Sequence, residues 1–222
     1  MPSNRRTPLQ PRSRERVRVI LDCAADLISE NGVESLTTGE VAKRAGISVG
    51  TLYQYFADRE AIIATLVDTH IALVNARLME NLAAVKVLNV RTLVEVTMNT
   101  HAEFYRSNPS FVKMWVHGRL SSAVVNGQRI RNLEMAKWLR SIVDKFGLVR
   151  EDSAELGGWF AVEIGDRVLE IAFRHDPQGD EEMILEGIEM LVGYLDRFAT
   201  DAGREGVPLA MLPAMDAAGD QS

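Results

Sequence analysis

From Val49 to Tyr55 the chain offers Val49, Gly50, Thr51, Tyr53, Gln54 and Tyr55 around one inward leucine, with no acid among them. Hydroxyls and a carboxamide reach phosphate oxygens and base edges, a branched methyl can touch a thymine methyl, and a glycine lets the backbone come close. That is chemistry for the major groove of DNA, with Gln54 as the base-reading amide. Reaction chemistry is not encoded in the same way. The four histidines (His70, His101, His117, His175) fall into no HExxH or Cys/His metal spacing, and no GxSxG elbow, phosphate loop or GxGxxG run is present. Asp166 and Glu170 stand four apart, as carboxylates on helix surfaces commonly do. The chain therefore nominates no catalytic residue, no metal ligand and no cofactor.

Two short helices must position those groups. Thr37 and Glu40 stand three apart as a capping box, Val41, Ala42 and Ala45 form an inward face, and Gly46 supplies the left-handed turn that ends the first helix. Ser48 caps the second, whose inward residues Leu52 and Phe56 are four apart. Lys43 and Arg44 end the first helix, where they reach phosphates or balance its dipole. The pattern is a helix-turn-helix.

The run Thr37-Thr38-x-x-Val41-Ala42-x-x-Ala45-Gly46-Ile47-Ser48-x-Gly50-Thr51-Leu52-Tyr53-x-Tyr55-Phe56-x-x-Arg59-Glu60 resembles the signature of the tetracycline-repressor (TetR) family of bacterial transcription regulators. The resemblance covers roughly fifty N-terminal residues, the size of one small helical unit. It implies an all-helical homodimer that binds a palindromic DNA operator and releases it when a small molecule fills the C-terminal domain. Carried over by position, it implies phosphate contacts for Thr38, Thr51, Tyr53, Tyr55 and Arg59. The family usually places lysine where Arg59 stands; both are cations, but arginine is a planar fork and lysine a point charge.

Composition bounds the rest. Over 222 residues, 46% are hydrophobic and 25% charged, the balance of a globular protein with ample length for a core. Cys23 is the single cysteine and forms no internal disulfide. No apolar run reaches the ~18–20 residues of a membrane span or the length of a signal peptide, so the expected location is cytoplasmic. Net charge is −6, which argues against coating nucleic acid by bulk charge. Residues 1–20 nevertheless hold six arginines against Glu15, whereas residues 180–222 hold ten acids against Arg197 and Arg204. The basic arm either adds phosphate attraction beside the helix-turn-helix or is an idle solvated tail.

Period-3.6 patterns dominate throughout, and no strand pattern persists. They predict an all-α chain: a three-helix DNA-binding domain over 13–57, a C-terminal helical ligand-binding and dimerisation domain over 58–201, and flexible tails over 1–12 and 202–222. The helix after Asp58 runs to about Leu82, about 37 Å, long enough to leave the DNA-binding head and enter the second domain. Further helices are predicted at about 90–107, 109–117, 122–146, 153–174 and 181–200, with Asp152 and Glu155 as a capping box for the fourth of these.

Two of them carry a dimer expectation. Gly158, Ala161 and Gly165 line one side of the helix after Ser153, with Val162 and Leu169 beside them, and mid-helix glycines point to close helix approach. The last long helix is apolar on two sides, with Ile184, Ile188, Leu191 and Leu195 on one and Met183, Met190 and Tyr194 on the other. Two stripes fit a helix shared between its own core and a partner, or one fully buried in a monomer. The predicted interface is Gly158, Val162, Gly165, Leu169, Ile184, Ile188, Leu191 and Leu195. A regulatory pocket for a hydrophobic or aromatic small molecule is expected among Met98, His101, Phe104, Tyr105, Trp115, Trp138, Trp159 and Glu163. Two other readings stay open, an architectural or effector-independent DNA-binding protein and an enzyme built on the C-terminal domain.

Overall fold

The computed structural model describes residues 11–116, 118, 121–152 and 155–209. Ten α-helices follow in order: α1 (Pro11–Asn31), α2 (Thr38–Arg44), α3 (Val49–Leu52), α4 (Arg59–Ala83), α5 (Val90–Ser107), α6 (Pro109–Trp115), α7 (Ser122–Lys145), α8 (Glu155–Ala172), α9 (Glu181–Asp196) and α10 (Asp201–Glu205). The helix starts are written in side chains. Thr37, Ser48, Asp58, Asn89, Ser121, Asp180 and Thr200 each accept a hydrogen bond from the backbone amide three residues on, satisfying a donor the helix itself leaves orphaned. Pro109 opens α6 at its first turn, where its missing N–H costs nothing. Residues 153 and 154 within the expected Asp152–Glu155 capping box lie outside the described residues, as do residues 1–10 of the basic arm, His117 and residues 210–222.

Helices α1 to α3 form the head. Ile20, Ala24 and Ile28 of α1 close over Val41, Ala42, Leu52 and Phe56. Helix α4 then runs out of the head into a body where α5 lies between α4 and α9, and α8 lies between α7 and α9. A second connection joins head to body: α6 packs on α1, with the Lys113 ammonium donating to the Ser29 carbonyl. The main core is continuous from Ile20 through Leu66 to Leu191, and a second cluster around Leu78, Leu82, Trp138, Ile142 and Leu148 fills the far end of the body.

Two expectations are corrected. By length and composition α4 could cross a membrane, contrary to the reading of the sequence, yet eight of its residues from Ile62 to Leu82 are buried inside the body. Residues 202–209 were expected in a loose tail. They form α10 and a two-residue strand β2 (Val207–Pro208), which pairs antiparallel with β1 (Val87–Leu88). The cause is tertiary. A Cβ on Gly203 would collide with the Leu148 carbonyl, so only glycine lets α10 lie this close to the end of α7, and Thr200 ties the segment to Gly147 at 2.6 Å.

Candidate nucleic-acid interface and ligand cavity

The turn between α2 and α3 has Gly46 at φ +64°, the left-handed conformation a side chain resists. Leu52 is fully buried and Phe56 nearly so, which fixes the rotation of α3 and turns Val49, Gly50, Tyr53 and Gln54 outward. Helix α3 is one turn long, and the chain then tightens: the Gln54 amide donates to Thr51 and the Tyr55 amide to Leu52. Gln54 and both tyrosines therefore sit on this tightened turn at the exposed end of the head. Tyr53 is half exposed, and its hydroxyl stands 3.4 Å from Thr38 Oγ1, which sets hydroxyls from α2 and the α3 turn side by side. Thr51 is partly covered and bonds Ser48 Oγ at 2.9 Å. Tyr55 is half-buried and packs on the core as well as facing out. Lys43 is exposed.

The two arginines behave differently from expectation. Arg44 is held by Glu30 of α1 through two bonds of 2.6 and 2.7 Å, so it staples α2 to α1. Arg59 was expected on phosphate. Its Nε donates to the Leu36 carbonyl at 2.8 Å, one terminal nitrogen to the Val33 carbonyl at 2.7 Å, and the other to Glu60 at 2.7 Å. A fork of donors can clamp two carbonyls in this way and an ammonium cannot match it. Arg59 thus locks the first turn of α4 to the α1–α2 connection.

The body holds a cavity of about 180 Å³ lined by residues of α4, α5, α6, α7, α8 and α9. Its wall is mostly apolar, with Met98, Leu139, Val143, Leu169 and Leu195 among the lining residues. Of the expected pocket residues Met98, His101 and Tyr105 line it. His101 donates its Nδ1–H to the Thr97 carbonyl at 2.8 Å, and burial lowers its pKa, which keeps the ring neutral. Phe104, Trp115, Trp138, Trp159 and Glu163 do not line it. Phe104 packs edge-on to His70 and Phe111 near the head, and Trp115 stacks on Phe111. Trp138 fills the far core cluster, Trp159 sits beside Phe160, and Glu163 accepts from Asn132 at 3.3 Å. Phe104, Trp115 and Trp138 pack on the core clusters instead, where their size fills space between helices.

The α7 side of a polar sector of the wall was missed. Gln128, Arg131 and Asn132 of α7 face the cavity, as does Asp166 of α8. Their signal was available: positions 128, 131, 132, 135 and 139 share one helical face, so polar residues continue the inward stripe of Met135 and Leu139. Burial raises the Asp166 carboxyl from 3.8 to about 6, against the bonds from Asn132 and Trp115 that favour its charged form; Glu163 and Glu170 add repulsion. The Arg131 guanidinium also reaches Asp68 of α4 at 2.9 Å. Among the described residues, no three His, Cys, Asp or Glu side chains stand together as metal ligands would.

The expected dimer residues lie inside the chain. Leu169, Ile184, Ile188 and Leu191 are buried in its core, and Gly158, Val162, Gly165 and Leu195 line the cavity. The close approach at Gly165 is internal, against Met98 Sδ, and the tight α8–α9 contact lies at Gly187 against Val168. The opposite faces are the exposed ones: Phe160, Ile164 and Ile171 on α8, and Met183 and Met190 on α9. Sequence reading found both α9 stripes and placed at an interface the one that the chain buries in its own core, since either can serve a core.

Residues 20–66 match the family model of bacterial regulatory proteins of the tetR family, and residues 91–195 match that of the tetracyclin repressor-like C-terminal domain. The nucleoid occlusion factor SlmA of Actinobacillus pleuropneumoniae is 32% identical over 107 residues, 46% of this chain and 50% of that one. The matches span half or less of the curated relatives' length. Among solved structures, a TetR-family transcriptional regulator from Streptomyces coelicolor superposes with a TM-score of 0.66 at 28% identity, covering 83% of this chain and 97% of that one. The regulator FadR of Bacillus subtilis, solved in complex with stearoyl-CoA, has the same fold: TM-score 0.61 at 18% identity, covering 80% of this chain and 98% of that one.

Proposed function

Since the chain belongs to the TetR family of bacterial regulatory proteins, we propose that it is a homodimeric transcriptional repressor that binds a palindromic operator and is released by an apolar small molecule. The observation that carries this reading is the path of α4. It begins at the Arg59 clamp behind the DNA-reading turn, and twelve residues later Ile71, Val74 and Asn75 form part of the cavity wall. A ligand that displaces α4 would move the head with it. Thr38, Thr51, Tyr53 and Tyr55 would hold phosphates, Val49 and Gly50 would approach the groove, and Gln54 would read a base. Arg59 would act from behind, by fixing α4 to the head. The reading assigns no catalytic step to the body and a cytoplasmic location to the protein.

A partner subunit would cover Phe160, Ile164, Ile171, Met183 and Met190, an apolar face that a monomer leaves in water. An acyl chain is one body the apolar cavity would accept, in keeping with the stearoyl-CoA complex of the FadR relative. Ligand binding would shift the population toward a dimer whose two reading turns no longer stand about 34–36 Å apart.

Selection of bound duplexes from a random pool at near-physiological salt tests the reading. Enrichment of a palindrome with half-sites about one turn apart supports it. Salt-sensitive binding without enrichment supports the second reading, an effector-independent DNA-binding protein.

A further inference from the structure

We propose that the polar sector of the cavity is an anchor for a neutral hydroxyl group on an apolar body, with Arg131 Nε–H donating to the hydroxyl oxygen and Gln128 Oε1 accepting its proton. The inference rests on the ligand-responsive reading above and names the head group that such a ligand carries. Gln128 Oε1 and Arg131 Nε are both buried without a hydrogen-bond partner, and both residues line the cavity. Buried polar atoms of this kind are uncommon and costly, so a pair in one cavity wall asks for an occupant. The two residues are three apart on α7 and share a face.

Each side chain is anchored through another of its atoms. Gln128 Nε2 donates to Asn132 Oδ1 at 2.9 Å, which fixes the amide with its oxygen as the free group. A terminal nitrogen of Arg131 donates to Asp68 at 2.9 Å, which leaves Nε for the cavity. The buried atoms left unpaired are one donor and one acceptor, and a hydroxyl is the smallest group that answers both. An ionised carboxylate has no proton for Gln128 Oε1, and it would approach Asp166 and the Glu163 carboxylate bonded to Asn132. An ammonium has no lone pair for Arg131 and would meet its guanidinium. The apolar body would run from this point along Met135, Leu139 and Val143.

The test titrates the full-length protein with 1-decanol, decanoate, decylammonium and decyl methyl ether by calorimetry, with operator release as a second readout. Decanol is expected to bind roughly ten-fold more tightly than either charged probe, the scale of one hydrogen bond to a charged donor. Gln128→Leu and Arg131→Met should each weaken decanol by a similar factor. The ether accepts but does not donate, so its affinity should fall with Arg131→Met and stay unchanged in Gln128→Leu, a split that a merely structural loss would not produce. Tighter binding of decanoate or decylammonium overturns the proposal. So does unchanged decanol affinity in both variants; if decanol still releases the operator there, the ligand-responsive reading survives without this anchor. If none of the four probes binds, the anchor falls, and a screen of apolar compounds for operator release then decides the broader reading separately.

Discussion

Asp166 offers the most quantitative test of how the cavity is built. Its carboxyl is buried between α7 and α8, accepts bonds from Asn132 and Trp115, receives the Tyr105 hydroxyl, and has Glu163 and Glu170 nearby. Burial raises it from the ordinary 3.8 to about 6. A carboxyl with a raised folded-state pKa holds its proton more tightly folded than unfolded. Its contribution therefore favours the fold in acid and is lost as pH rises from about 4 through about 6. A difference of about 2.2 pH units at about 1.36 kcal/mol each makes the charged form cost the fold about 3 kcal/mol at neutral pH. Asp166→Asn keeps an oxygen for Asn132 and Trp115 and removes the charge. It should raise stability at pH 7.5 by up to about 3 kcal/mol, with the gap closing toward pH 4. Urea unfolding of both proteins at fixed concentration across this range isolates the effect, because His70 and His101 contribute equally to each. A variant less stable at pH 7.5, or a gap that does not narrow in acid, would refute the assignment of burial as the dominant cause.

Other predictions test the head and the dimer. Arg59→Lys keeps the charge but not the fork, so it should lower stability by about 1–3 kcal/mol through the lost bonds to the carbonyls of the buried Val33 and Leu36. Unchanged thermal unfolding with intact operator binding would return Arg59 to a simple phosphate contact. Tyr53→Phe should weaken binding alike on all operator variants, whereas Gln54→Ala should relax preference at one base pair, worth about 1–3 kcal/mol. Binding assays on a set of single-base operator variants separate the two, and equal loss across the set for Gln54→Ala would remove its reading role. Ile164→Glu places a charge on the exposed face of α8 and should shift sedimentation toward monomer, with the helical circular dichroism retained. A dimer that persists would place the interface elsewhere.

Local chemistry determined the head. The side chains of Thr37, Ser48 and Asp58 cap α2, α3 and α4, and Gly46 makes the turn, so the interactions that define the helix-turn-helix lie within a few residues of one another. Helix starts such as Asn89, Asp180 and Pro109 were legible for the same reason. Periodicity also found the inward and outward stripes of α9, but a stripe says only that a face is buried, not against what. Whether Ile184, Ile188 and Leu191 met a partner or the chain's own α5 and α8 depended on packing between segments far apart in sequence. The same holds for the Arg59 bonds to carbonyls 23 and 26 residues away, and for the cavity, whose walls come from six helices. The sequence by itself therefore determined the fold class, the helix boundaries of the head and the groups it turns outward, because caps, turns and amphipathic periods act over a few residues. Only the tertiary structure decided which apolar face remains open, which polar atoms end in the cavity and which arginine is a clamp, because these are outcomes of long-range contact and burial.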